Sequence, residues 1–283
     1  MHESILSLGF SPCPNDTYIF DALVNGKIGA SGFSFDVRMD DVEALNQWAI
    51  SGEPDITKIS FAAYPWIADS YQLLRSGSAM GFGTGPLLVA KNNSEDFVAG
   101  IRTVAIPGKR TTANLLFSEF FPGIKLRKEM LFSTIEDAIL KGEVDAGVII
   151  HESRFTYTQK GLKKICDLGE LWEQKTHRPI PLGGIAIRRS LPDETKNKIE
   201  NLVRQSVEFA FAHPVSSNEF IAKHALEMDE EVRRKHIELY VNNFSIDLGA
   251  EGEEAIQYLF SGAGTRDQFP EILQPIFLEK VLA

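Results

Sequence analysis

The chain has 283 residues, 43% of them hydrophobic and 24% charged, a composition too apolar for disorder and ordinary for a folded protein. At a formal net charge of -10, no segment carries the basic excess that a nucleic-acid or anionic-membrane surface needs, and no run approaches the ~20 apolar residues of a membrane span. Two cysteines, Cys13 and Cys166, exclude a disulfide framework and a Cys-rich zinc site.

Residues 5–10 read as a short apolar strand, ended by Ser11-Pro12-Cys13-Pro14-Asn15-Asp16 before an apolar helical run over 18–24. Phe33-Ser34-Phe35-Asp36-Val37 alternates with period two, as a half-buried strand does. Val42, Leu45, Trp48 and Ala49 then follow one helical face, with Asp40 and Asp41 suited to its start. Residues 55–60 form a strand running into a helix, and 85–90 a further apolar strand. The glycine-rich Gly81-Phe82-Gly83-Thr84-Gly85 precedes that strand and does not join a strand to a helix, so it reads as a turn or hinge and not as a cofactor loop.

After the polar stretch 91–96 the pattern restarts: a strand at 103–106, a Pro107-Gly108 break, a helix carrying Ala113, Leu115, Leu116 and Phe117, a strand at 125–132, a helix through Ile135, Ala138 and Ile139, and a near-continuous apolar strand at 144–150. A strand at 184–187 is expected to return the chain to the first lobe. A long helix with Ile199, Leu202, Val203, Ser206, Phe209 and Ala210 on one face follows, then three helical segments near 216–226, 229–241 and 251–260. Alternating β and α elements with buried-looking strands predict an α/β protein of two lobes, each with a mixed, mostly parallel sheet flanked by helices. Residues 1–90 and 185–283 are assigned to a larger discontinuous lobe, and 91–184 to a smaller inserted one.

Four polar segments share one position in this pattern, each following the carboxyl end of a strand: 11–17, 57–60, 108–112 and 151–157. That edge is where open α/β sheets bind ligands, because helix N-termini there present unpaired N–H groups. Gly108-Lys109-Arg110-Thr111-Thr112 is the candidate carboxylate holder, with a glycine, two cations and two hydroxyls before a helix; it lacks the spacing of a phosphate loop. His151 emerges where a buried strand reaches the cleft, and imidazole exchanges protons near neutral pH, which makes it the candidate general base. Phe155 stands where a zinc-protease motif would need its second histidine. Packing, or a loop stiffened by Pro12 and Pro14, accounts for Cys13 better than a nucleophile does, and Asn15, Asp16 and Thr17 are read as helix caps.

Ser11-Pro12-Cys13-Pro14-Asn15-Asp16-Thr17 and His151-Glu152-Ser153-Arg154-Phe155-Thr156-Tyr157 resemble the two signature stretches of the 1,4-dihydroxy-6-naphthoate synthase family, of the futalosine route to menaquinone. The similarity continues through Asp41-Val42-Glu43, Leu45-Asn46, Thr57-Lys58, Thr111-Thr112-Ala113 and Tyr240-Val241-Asn242. It implies a fold similar to type II periplasmic solute-binding proteins with a ligand cleft between lobes, and a lyase that converts cyclic dehypoxanthine futalosine to 1,4-dihydroxy-6-naphthoate with loss of dihydroxyacetone. By position His151 matches the family's general base, while Thr57, Lys58, Ile59, Thr111 and Thr112 match its substrate contacts. No metal or organic cofactor is implied.

The expected partner is a small carboxylate substrate, with monomer and homodimer undecided. Met1-His2-Glu3-Ser4 lacks the basic flank and long apolar stretch of a secretory leader, so a cytoplasmic location is expected. Two alternatives remain open: a non-catalytic binder of small organic anions, and the related chorismate dehydratase, against which the His151 stretch argues. A transcription-factor effector domain is disfavoured, because the first strand starts almost at residue 1 and leaves no room for a DNA-binding helix pair.

Overall fold

A computed structural model describes residues 4–30, 32–226, 229–261 and 269–279. Its strands are β1 (Ser4–Phe10), β2 (Phe33–Met39), β3 (Ile56–Ser60), β4 (Tyr71–Leu73), β5 (Ala79–Gly81), β6 (Leu87–Ala90), β7 (Thr103–Ile106), β8 (Leu126–Glu129), β9 (Ala146–Ile149), β10 (Lys163–Asp167) and β11 (Ile180–Arg188). They form two sheets. One has the order β2-β1-β3-β11-β4 with β5 also on β11; the other runs β10-β6-β9-β7-β8.

Both sheets are mixed. Pairing is parallel through β2-β1-β3 and through β8-β7-β9, where helices make the crossovers. It is antiparallel at β11 and at β6, the strands that arrive from the other lobe. The chain changes sheet before residue 87 and again before residue 180. The polar stretch 91–96 lies at the surface and leads into the short helix Glu95–Ala99.

The two crossovers touch backbone to backbone. A Cβ on Gly85 would lie 2.3 Å from Gly169 Cα, so only glycine permits this approach. Arg154 clamps the crossing, donating to the carbonyls of Gly83 (2.9 Å) and Gly85 and to the Asp167 carboxylate (2.6 Å).

Each sheet has a packed layer, and a further buried cluster joins the two, with Ile59 and Ala186 from the first sheet and Leu88 and Val148 from the second. In the larger lobe Leu8, Phe10, Phe20, Ile185, Ile199 and Val203 form a buried cluster between sheet and helices, each side chain contributing ~1.5–3 kcal/mol. The long helix Asp193–Ala212 buries Ile199, Leu202, Val203, Ser206 and Ala210 of the expected stripe, while Val207 is buried in addition and Phe209 is only half-buried, with Asp193 and Glu194 at the electropositive start. In the smaller lobe Val89, Ala105, Ile135 and Ile139 play the same part. From these packed sheets the strand-to-helix loops of both lobes project into one gap.

Candidate active site

Strand β1 ends in Ser11-Pro12-Cys13, and Pro14 opens the helix Pro14–Val24, where its missing N–H is no loss. The first turn of that helix faces the gap with a buried charge. Asp16 accepts from Ser11 N (3.1 Å) and Ser11 Oγ (2.8 Å) on one oxygen, and from Asn15 Nδ2 (2.9 Å) and Lys58 Nζ (2.9 Å) on the other. Lys58, from β3, also donates to Gly77 O at 3.0 Å. Both side chains are nearly inaccessible, 6% and 2% exposed, and a pair removed so far from water persists because each charge has the other and further hydrogen bonds as partners.

Asn15 extends this network. Its amide nitrogen is committed to Asp16, so its oxygen faces His236 Nε2 at 2.9 Å, and Nε2 must carry the proton. His236 sits on the helix Glu230–Tyr240, fully buried. Its ring stacks on that of His151, with centroids 5.9 Å apart and planes 14° apart. Burial, reinforced by the second imidazole, holds the His236 pKa well below its ordinary value.

His151 comes from the opposite lobe, two residues beyond β9, with φ at 57° in the left-handed region. A non-glycine residue there costs ~1–3 kcal/mol, a strain that surrounding structure must hold in place. Phe132 packs edge-on against the same ring, with centroids 4.9 Å apart. Among the described residues no group hydrogen-bonds to the ring. Burial lowers its pKa from 6.5 to about 4, Asp16 opposing the shift and Lys58 adding to it, so the imidazole is neutral at neutral pH.

The gap is one cavity lined by Asp16, Lys58, Ile59, Thr111, Thr112 and His151, and closed by Leu182, Gly183 and Tyr240. Thr57 is the exception among the expected contacts. Neighbouring side chains of a strand face opposite sides, and with Lys58 turned to the cavity, Thr57 lies behind it, its hydroxyl close to the Gly9 position and donating to Lys58 O (3.1 Å).

The 108–112 turn also works differently from its appearance. Lys109 is 77% exposed and points toward Glu129, and Arg110 lies over the Trp66 ring at 4.1 Å, so neither cation reaches the cavity. Thr111 Oγ1 donates to Gly108 O (2.8 Å) and accepts from Asn114 N (3.2 Å), capping the helix Thr112–Phe120. Thr112 Oγ1 donates across the gap to Leu182 O (2.8 Å). Both hydroxyls therefore serve the protein itself. What this turn offers to the cavity is the first-turn N–H groups of Thr112 and Ala113, which helix geometry leaves without internal acceptors.

The same turn closes the lobes on each other. Glu43 accepts from Arg110 N (3.1 Å), and a Cβ on Gly108, whose φ is 150°, would lie 2.5 Å from Glu43 Oε2. Burial raises the Glu43 pKa, with hydrogen bonds from Gln47, Arg110 and Asn46 opposing the shift. Among the described residues one set of side chains has metal-ligand character: Cys13 Sγ, a His151 nitrogen and a Glu152 oxygen lie within 4.8 Å of one another.

A family described as menaquinone biosynthesis matches residues 6–264. The chain is 44% identical over 273 residues to the 1,4-dihydroxy-6-naphthoate synthase of Thermus thermophilus, covering 96% of this chain and 99% of that one. It is 41% identical over 277 residues to the enzyme of that name from Streptomyces coelicolor, covering 96% and 97%. The chain belongs to the 1,4-dihydroxy-6-naphthoate synthase family.

Its fold is that of periplasmic binding proteins. A crystal structure of an Archaeoglobus fulgidus protein, 31% identical, superposes with a TM-score of 0.87 over 95% of this chain and 99% of that one. The alkanesulfonate-binding protein of Xanthomonas axonopodis superposes at 0.70 over 98% and 97% with 13% identity, a likeness of fold alone. Among the described residues no helix is long and apolar enough to cross a membrane.

Within this family fold, the residue that sequence reasoning passed over is His236. A signal existed: Tyr240 belongs to a family-like stretch, and His236 lies one helical turn before it, on the same face. Burial also raises the Tyr240 pKa, keeping a protonated phenol at the cavity. Asp16, read as a cap, is instead the counter-ion of Lys58.

Proposed function

We propose that this cavity converts cyclic dehypoxanthine futalosine to 1,4-dihydroxy-6-naphthoate with release of dihydroxyacetone. His151 removes a proton from the bound substrate and triggers a retro-aldol-like fragmentation, which formation of the aromatic ring drives forward. The single observation that carries the reading is a neutral imidazole with no hydrogen-bonding partner among the described residues, strained at the end of β9 and turned into an interlobe cavity. A neutral ring has a lone pair to offer, and general-base catalysis contributes ~10²–10⁴-fold.

The substrate carboxylate is held by the N–H groups of Thr112 and Ala113 at the helix N-terminus, in the field of the Lys58 ammonium. Lys58, Ile59, Thr111 and Thr112 shape the walls, and closure of the Glu43–Arg110 and Thr112–Leu182 contacts excludes water while the base is aligned. The same reading makes the protein a cytoplasmic carbon–carbon lyase of menaquinone biosynthesis.

The test is incubation of the protein with the cyclic substrate, followed for naphthoate. Many product molecules per protein support the lyase. Stoichiometric retention of unchanged substrate identifies a binder, and turnover of chorismate in its place identifies the dehydratase.

A further inference from the structure

We propose that Cys13, His151 and Glu152 form a binding site for a thiophilic divalent cation of the Zn²⁺ class, and that an ion bound there silences the base by occupying its lone pair. The three residues come from both lobes: Cys13 from the loop after β1, His151 and Glu152 from the loop after β9. A thiol sulfur, an imidazole nitrogen and a carboxylate oxygen are the three donor types that Zn²⁺ accepts, at bond lengths of ~2.0–2.3 Å that put tetrahedral donors roughly 3.3–3.8 Å apart. The donors here lie within 4.8 Å of one another, so a shift of about 1 Å completes the geometry.

Charge argues for a divalent ion. Cys13 and Glu152 are both buried, and a thiolate and a carboxylate side by side in a site of low dielectric repel. At neutral pH a cysteine free of metal is mostly the thiol. When an M²⁺ ion binds, the S–H proton leaves to solvent, the sulfur–metal bond forms, and two negative ligands leave the buried cluster neutral.

Access and stiffness are also present. A second cavity lined by Cys13, His151, Asp40 and Asp41 adjoins the first, giving an approach to the cluster and room for water as fourth ligand. Pro12 and Pro14 flank the cysteine and fix its backbone. Mg²⁺ and Ca²⁺, which demand oxygen ligands, do not fit this donor set.

The site stands apart from the lyase reading, and the silencing rests on it. The full chain, freed of metal by chelation, is titrated with Co²⁺. One equivalent is expected to produce tetrahedral d–d bands and a near-ultraviolet thiolate-to-cobalt band, both displaced by Zn²⁺ and not by Mg²⁺. Cys13→Ser, its fold checked by circular dichroism, should lose the thiolate band and weaken binding by more than the ~10–100-fold of an outer-shell partner. Glu152→Gln should keep the band at reduced affinity, and Cys166→Ser should match the parent protein. Absence of a thiolate band in the parent, or its survival in Cys13→Ser, overturns the site. Zn²⁺ should then suppress turnover and a chelator restore it; binding without inhibition overturns the silencing. Binding by a protein that never turns over substrate supports the site and counts against the lyase reading instead.

Discussion

Residues 11–17 and 108–112 are both strand-to-helix turns, one from each lobe, and both carry hydroxyl and charged side chains. In the first, side chains do the work. Asp16 gathers Ser11, Asn15 and Lys58 into a network closed to solvent, which reaches His236 and, by stacking, His151. In the second, the charged side chains turn outward and the hydroxyls cap or bridge, leaving the backbone to face the cavity. Similar composition thus yields two kinds of polar surface, because a buried charge needs partners on all sides while a helix N-terminus carries its partial charge without any side chain.

The sharpest way to separate the two walls is to remove the group between them. His151→Ala is expected to lower kcat by ~10²–10⁴-fold with the fold intact, read in a naphthoate assay beside a thermal melt. Unchanged turnover would take the ring out of the mechanism. The parent's acid limb in kcat/KM should lie near pH 4, where this imidazole takes up its proton. Stability follows the same groups: His151 and His236 both titrate lower folded than unfolded, so below about pH 6.5 the unfolded chain binds protons first. Stability is therefore expected to fall as pH drops from 6.5 toward 4, and a flat denaturation midpoint across that window would contradict the neutral pair.

Breaking the side-chain wall should cost the fold. Asp16→Ala leaves Lys58 buried without its carboxylate and is expected to destabilise the protein by about 3–5 kcal/mol in chemical denaturation. A loss below 1 kcal/mol would mean that water reaches the ammonium.

The backbone wall should tolerate more. Thr111→Val removes a helix cap and is expected to cost about 0.5–2 kcal/mol of stability. Its KM should move only a few-fold, whereas a hydroxyl bonded directly to a carboxylate would be worth about 1.5–3 kcal/mol, or more than tenfold. A KM rise beyond tenfold would return the binding role to the hydroxyl. Smallest of all, Lys109→Ala should change stability by less than about 0.5 kcal/mol and leave KM unchanged; a large KM effect would mean that the exposed ammonium swings into the cleft.

Much of the architecture was legible along the chain. β7 at Thr103–Ile106 and the Val42–Ser51 helix with its Asp41 cap follow from periodicity and capping chemistry, which are local. β4, β5 and β10 were not anticipated. The first two are only three residues long and have little pattern of their own; they exist because β11 offers them an edge. The site was half legible. His151 emerges at the end of an apolar run, whereas His236 lies in a polar helix 85 positions later, and nothing local reveals that Asn15 will meet it.

The order of strands and helices, the stretches that reach the cleft, and the membership of a family were all determined by the amino-acid sequence, since hydrophobic period, capping and motif spacing act over a few residues. Which groups face the cavity was decided only by tertiary structure. Lys58 was turned inward and Lys109 outward, Thr57 was set behind the sheet, and two distant imidazoles were stacked, because the direction of a side chain depends on what the opposite lobe packs against it.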